Sequence, residues 1–241
     1  MMHLLADWLM LGATFALGYA AVLWLVRLPV YPVRDLVVAA PLNQVAPAQV
    51  EYAARRAVTG NFFTVDLDRV RETFEKLPWV RQVQVRRVWP AGLEVSIDEH
   101  VAAARWRQGD GEPWLVSDRG EVFGAISEED LPLLAGPEGS APEVLRRYRE
   151  FSETLAPLGR RPRAVSLSPR LAWQVRLEDG AVVELGRDQA KSPVDERLRR
   201  FVSAHGELTA RLPAATAVVD LRYPNGFAIK PAIGRTEAKS K

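Results

Sequence analysis

The run Asp98-Glu99-His100 sets carboxylates beside an imidazole, the pairing that general acid-base catalysis requires. Adjacent residues of a strand point to opposite faces, so Glu99 and His100 do not converge on one substrate. The other histidines, His3 and His205, are scattered, and none of the three has metal-ligand spacing. No glycine-rich phosphate loop, nucleophile elbow or zinc signature occurs. The absence of cysteine excludes disulfides, thiolate metal sites and a cysteine nucleophile. The expectation is a protein with no catalytic residues, no metal and no cofactor.

A second chemistry is nucleic-acid binding. Arg81, Arg86, Arg87, Arg105 and Arg107 interleave with Trp89 and Trp106, and such mixtures can neutralise phosphates and stack bases. Glu94, Asp98, Glu99 and the acidic run Glu128-Glu129-Asp130 interrupt any continuous basic surface. The net charge is only +2 over 241 residues, although a pI near 9.0 leaves a mild basic bias. Arg55-Arg56 and Arg146-Arg147 read as solvated helix faces. A third chemistry, main-chain pairing along an open strand edge, needs no special side chains at all.

The elements that position these residues begin with an apolar segment. Trp8–Val26 reads WLMLGATFALGYAAVLWLV, without a charge. As a helix it rises about 28 Å, close to a hydrocarbon core of about 30 Å. Trp8 and Trp24 fall near its ends, where interfacial anchors belong. A membrane-spanning helix is expected over 8–26, after a short flank at 1–7 and before a proline-bearing stalk at 27–32. Arg27 and Arg34 follow the span and no Lys or Arg precedes it, so charge alone leans toward a cytoplasmic body.

Behind the stalk, 33–100 reads as strand, helix, helix, strand, strand. The strands are Val33–Val38, Val80–Val88 and Leu93–Glu99. Pro47 suits the first turn of a helix carrying Val50, Ala54, Ala57 and Val58. Asp66 caps a second helix in which Leu67, Val70, Phe74 and Leu77 form a stripe. Leu93, Val95 and Ile97 alternate with Glu94, Ser96 and Asp98, so one face of the last strand is buried. This order predicts an α+β layer, two helices on one face of a three-stranded sheet, the architecture of a POTRA domain.

From 101 to 233 a second domain is expected: an antiparallel β-sheet with helices on one face. Its strands read at 103–106, 114–117, 121–123, 165–167, 172–177, 181–185, 217–221 and 227–230. One helix opens with capping-box spacing at Ser140 and Glu143 and carries Val144, Tyr148, Phe151, Leu155 and Leu158. Another opens at Ser192-Pro193, with Asp195 as a weaker capping partner, and carries Leu198, Phe201, Val202, His205 and Leu208. A polar, basic tail occupies 234–241.

Linked motifs then identify a resemblance. GNFFTVDLDRV at 60–70, LPWVRQVQVRRVWPAGLEVSIDEHVAAARW at 77–106 and SDRGEVF at 117–123 come in order. LPLLAGPEGS at 131–140, LAWQVRLEDGAVVELGR at 171–187, ERLRRF at 196–201 and VDLRYPNGFAI at 219–229 follow. In order and spacing the chain resembles the FtsQ/DivIB family of bitopic bacterial cell-division proteins, in its proteobacterial form. The resemblance implies a non-enzymatic scaffold of the divisome, at the septum, with its N-terminus cytoplasmic and its body periplasmic behind an inner-membrane helix. This outweighs the charge reading of orientation.

It further implies that the β domain binds FtsB of an FtsB–FtsL pair, a partner segment extending the last strand, and that the protein helps recruit and regulate septal wall synthesis. Other division proteins would meet the POTRA domain; no nucleic acid and no small-molecule substrate is implied. Partner-binding residues carried over by the resemblance are Arg170, Trp173, Arg222, Tyr223, Asn225, Gly226, Phe227, Ala228 and Ile229. Arg86 and Arg87 are expected to orient the hairpin or to stabilise the interdomain junction. The alternative is a POTRA-bearing component of outer-membrane protein assembly or secretion, which would continue into further POTRA repeats or a barrel.

Overall fold

A computed structural model describes residues 2–28, 30–39, 41–107, 113–208, 217–223 and 226–231. The polar tail expected at 234–241 lies outside them, as do Pro224 and Asn225. The chain divides into two compact units, residues 1–100 and 101–241.

In the first unit, helix α1 (Met2–Arg27) extends beyond the expected 8–26 segment. Among the described residues no helix is long and apolar enough to cross a membrane. Strand β1 (Asp35–Val38), helices α2 (Pro47–Ala57) and α3 (Leu67–Glu75), and strands β2 (Val80–Val88) and β3 (Gly92–Glu99) follow. The sheet order is β1-β3-β2, with β1 parallel and β2 antiparallel to the central β3. Asp66 caps α3 as expected, accepting from the Arg69 amide at 3.1 Å. Val70 and Phe74 of α3, with Leu93 and Val95 of β3, are completely buried. The α3 stripe therefore meets the alternating apolar face of the hairpin.

The conspicuous charges of this unit act locally. Arg86 pairs with Glu94 directly across the hairpin at 2.8 Å. Arg87 donates to the carbonyls of Phe62 (2.8 Å) and Val65 (2.7 Å), pinning the GNFF turn. Glu99 accepts from the amides of Asn43, Gln44 and Val45 at 2.7–3.0 Å. A carboxylate so held satisfies the free amides leading into α2 and has a structural task.

Asn61 joins the turn to the end of α1. Only 4% exposed, it donates to the carbonyls of Val26 and Leu28. Its own oxygen accepts from the Phe63 and Thr64 amides at 3.0 and 2.9 Å. Truncation leaves these groups without their partner in a part-buried place. Asn61→Ala is expected to cost about 2 kcal/mol locally, read as about thirty-fold faster hydrogen exchange at the Phe63 and Thr64 amides.

The second unit comprises β4 (Ala102–Arg107), β5 (Trp114–Ser117), β6 (Val122–Phe123), β7 (Leu133–Ala135) and α4 (Ala141–Leu155), which runs into a short 3-10 turn. Then come β8 (Pro162–Leu167), β9 (Ala172–Leu177), β10 (Val182–Arg187), α5 (Val194–Leu208), β11 (Ala217–Asp220) and β12 (Ala228–Pro231). They form a nine-stranded sheet ordered β12-β11-β10-β9-β8-β7-β4-β5-β6. The expected all-antiparallel sheet is corrected: β4 with β7, β7 with β8, and β10 with β11 pair in parallel. The reason is connectivity. α4 lies between β7 and β8, and α5 between β10 and β11, giving the long crossovers that parallel neighbours require. β7, with three residues and no alternation, had no readable signal.

α4 packs on β7, β8 and α5, while α5 packs on β10. Val144, Phe151 and Leu155 of α4 and Leu198 of α5 are fully buried against Leu134, Val165, Val175 and Val183. The side chains of His205 and Leu208 lie outside the description. Two caps differ from expectation. Ser140 donates its hydroxyl to the Pro137 carbonyl at 2.6 Å instead of capping α4. At α5 the Val194 amide goes to Asp188 at 3.1 Å, and Asp195 turns to Arg147 at 2.9 Å. Arg147 is accordingly no solvated face residue: its side chain is 11% exposed and also meets Asp188 at 2.7 Å. Burial works against its charge, but the Asp195 hydrogen bond and the charges of Asp195, Glu150 and Asp188 hold it above the ordinary arginine range.

Candidate functional site: the terminal strand edge

β12 closes one side of the nine-stranded sheet. Its inner edge pairs antiparallel with β11, Ala228 opposite Asp220 and Ile229 opposite Val219. Among the described residues no strand pairs with its outer edge. A strand so placed presents a row of backbone donors and acceptors to any extended chain of suitable sequence.

What holds β12 in place is apolar. Phe227, partly buried, meets Phe201 of α5 edge-on, with ring centroids 5.9 Å apart. Ala228 and Ile229 are also partly buried. Gly226 precedes them in open space, since a Cβ there would meet nothing within 4 Å. Tyr223 stands 54% exposed. Asn225 lies outside the described residues.

Arg222 is bound to its own strand. It donates to Asp220 at 2.8 and 2.6 Å and approaches Glu184 at 3.3 Å. The Asp220 hydrogen bonds, followed by its charge and that of Glu184, hold the guanidinium well above the ordinary arginine range. Asp220 itself is 2% exposed. The Arg222 stem lies over Gly186, where β10 breaks register against β9 and the backbone has φ of +72°. A Cβ at Gly186 would come within 2.8 Å of Arg222 Cγ. Glycine is needed there both for the left-handed backbone and for the close approach.

Beneath this bulge sits Arg197 of α5, 3% exposed. It donates to the carbonyls of Leu185 and Arg187, which flank Gly186. Burial pushes its pKa below the usual arginine value, against the pull of Asp188 and together with the repulsion of Arg200. Arg197 and Gly186 thus set the shape of β10 under Arg222. Sequence reasoning passed over both, although ERLRRF and LGR held them in view. A helix-face arginine and a strand glycine look ordinary until their partners are known.

Arg170 is exposed in the turn between β8 and β9. Trp173 opposes Leu167 on one side and Gly186 on the other. The Arg170 turn therefore lies at the same end of the sheet as the exits of β10 and β11, the latter leading to Arg222 and Tyr223. The assignment of Trp173 to partner contact is corrected. It is 5% exposed, edge-on to Phe151 at 5.9 Å, and lies in the core because strand alternation turns it toward α4. Its neighbour Leu171, unnoticed in the sequence, is 61% exposed with φ of +60°. This is an uncommon conformation for a leucine, and it sets an apolar side chain in solvent beside Arg170.

Known proteins resemble this chain along both of its units. The family described as Cell division protein FtsQ/DivIB, C-terminal, matches residues 104–222, and the POTRA domain, FtsQ-type, matches 31–100. A protein of Nitrosospira multiformis named Cell division protein FtsQ is 41% identical over 230 residues, covering 93% of this chain and 94% of that protein. Its namesake from Burkholderia pseudomallei is 42% identical over 219 residues, covering 90% and 86%. That of Bordetella pertussis is 35% identical over 248 residues, covering 94% and 89%. With both of its units matched and with relatives this similar along nearly their whole length, the chain belongs to the FtsQ/DivIB family of cell-division proteins, which serve the divisome at the division site.

Proposed function

We propose that this chain is a non-enzymatic scaffold of the divisome whose β12 edge accepts a strand from an FtsB-type partner of an FtsB–FtsL pair. Through that contact it recruits and regulates septal wall synthesis. The observation that carries the reading is the place of β12: last in its sheet, paired on one side, held from below by Phe227 and Phe201. Main-chain hydrogen bonds supply affinity in this mode, and neighbouring side chains select the partner. Tyr223, Leu171 and Arg170 at the same sheet end suit that selection, because tyrosine and arginine anchor interfaces well.

Anchoring through α1 belongs to the same proposal, with the N-terminus cytoplasmic and the body periplasmic in the inner membrane. It is supported by the uncharged run from 8 to 26 and by its exposed Leu11, Phe15, Leu17 and Val22, which find no cover in the first unit. The test is photocrosslinking from Ile229 in dividing cells, with envelope fractionation of the same sample. A crosslink to an FtsB-type protein in the inner-membrane fraction is expected. Crosslinks from Ile229 only to the chain's own residues, or a chain recovered wholly in the cytoplasmic fraction, would overturn the reading.

A further inference from the structure

The face of the nine-stranded sheet turned away from α4 and α5 holds a groove of about 540 Å³ across β4, β7, β8 and β9. Its floor is lined by Leu133 and Ala135 on β7 and by Ala164 and Ser166 on β8, and it is lowest over the three short residues. Its walls are arginines: Arg105 and Arg107 on β4, Arg163 on β8 and Arg176 on β9. The register Arg105–Leu133–Ala164–Arg176 sets the two walls three strand spacings apart, about 14 Å.

One side of the groove already grips a stretch of this chain. Arg105 donates to the carbonyls of Ser127 and Glu129 at 3.1 Å, and Arg163 meets Asp130 at 2.6 Å. The chemistry being read is that of an acidic polypeptide, main-chain oxygens and a carboxylate, in a stretch that bends at Glu129. Arg107 and Arg176, both exposed, have no ion pair among the described residues. Among the described residues four lining guanidiniums thus face one lining carboxylate, that of Asp130, and Ser166 and Gln174 add hydrogen-bonding groups suited to amides.

We propose that this groove is a second docking surface, taking an acidic, extended polypeptide segment of another protein whose carboxylates are held by Arg107 and Arg176. Arginine's planar fork matches carboxylates bidentately. The concave trough, about 14 Å between its walls, admits a single chain and excludes a flat lipid surface. The surface is distinct from the β12 edge, from which β11 and β10 separate it in the sheet.

The test is fluorescence anisotropy of the full chain in detergent with a labelled peptide of alternating Glu and Ser. Charge reversal of Arg107→Glu with Arg176→Glu is expected to weaken binding about a hundredfold, and Arg107→Gln with Arg176→Gln about tenfold. Reversal of Arg55 and Arg56 on α2, with the same change in net charge, should alter it less than about threefold. Ile229→Pro should leave it unchanged, so failure here is separable from failure of the β12 reading. Equal losses from the Arg55/Arg56 reversal would mean diffuse attraction and would overturn the proposal. So would undiminished binding by the groove variants, displacement of the peptide by an equal charge of inorganic phosphate, or groove-dependent binding of anionic vesicles without binding of the peptide.

Discussion

Replacing Ile229 with proline is expected to abolish capture of a partner strand while the second unit stays folded. Proline has no amide hydrogen, fixes φ, and its ring crowds an adjacent strand. β12 is four residues long, so one such residue in its middle removes a large share of the edge. A loss of affinity of about a hundredfold or more corresponds to about 3 kcal/mol. The fold survives because the core beneath β11 rests on Val219 and Leu221, 3% and 2% exposed, and on the α5 face with Phe201. Titration calorimetry with the FtsB-type partner's periplasmic segment measures this directly, with Ile229→Val as the conservative control. Tyr223→Ser and Arg170→Glu, at exposed side chains, are expected to cost about tenfold each. Undiminished capture by Ile229→Pro would mean that the partner does not use this edge.

The largest stability effect is expected at Arg197. Its guanidinium is buried under the β10 bulge and holds the carbonyls on both sides of Gly186. Arg197→Ala removes the donors, leaves two acceptors without their partner and opens a void below Arg222. Such losses combine to about 3 kcal/mol. Urea denaturation of the second unit should report this as a lower midpoint with an unchanged slope. Arg197→Lys should recover part of the loss, because an ammonium cannot fork between two carbonyls as a guanidinium does. Partner capture should weaken as well, since the bulge shapes the ground on which Arg222 and Asp220 stand. A midpoint identical to the parent's would show that the carbonyls find other donors and that Arg197 is dispensable.

Much of the fold was legible because patterning is local. The alternation of Leu93, Val95 and Ile97, the stripe of Val70 and Phe74, and the Asp66 cap each depend on residues a few positions apart. Two caps were misread, one lost to a partner three residues back and one to a partner on another helix. Ser140 turns back to Pro137, and Asp195 leaves α5 for Arg147 on α4. β7 was missed since three apolar residues look the same in a strand, a turn or a buried loop. Trp173 shows the limit at the candidate site: strand alternation predicted two faces but not which one α4 would cover.

By itself, the amino-acid sequence determined the two-unit α+β plan, the N-terminal helix around its uncharged run, and the family, because these rest on short-range periodicity and ordered motifs. Only the tertiary structure decided that the sheet is mixed, that β12 stands at its margin, and that Arg197 and Gly186 support it. Strand order and the partners of a buried charge are set by which surfaces pack together across long loops. That choice depends on contacts between residues far apart in the chain, which no local spacing records.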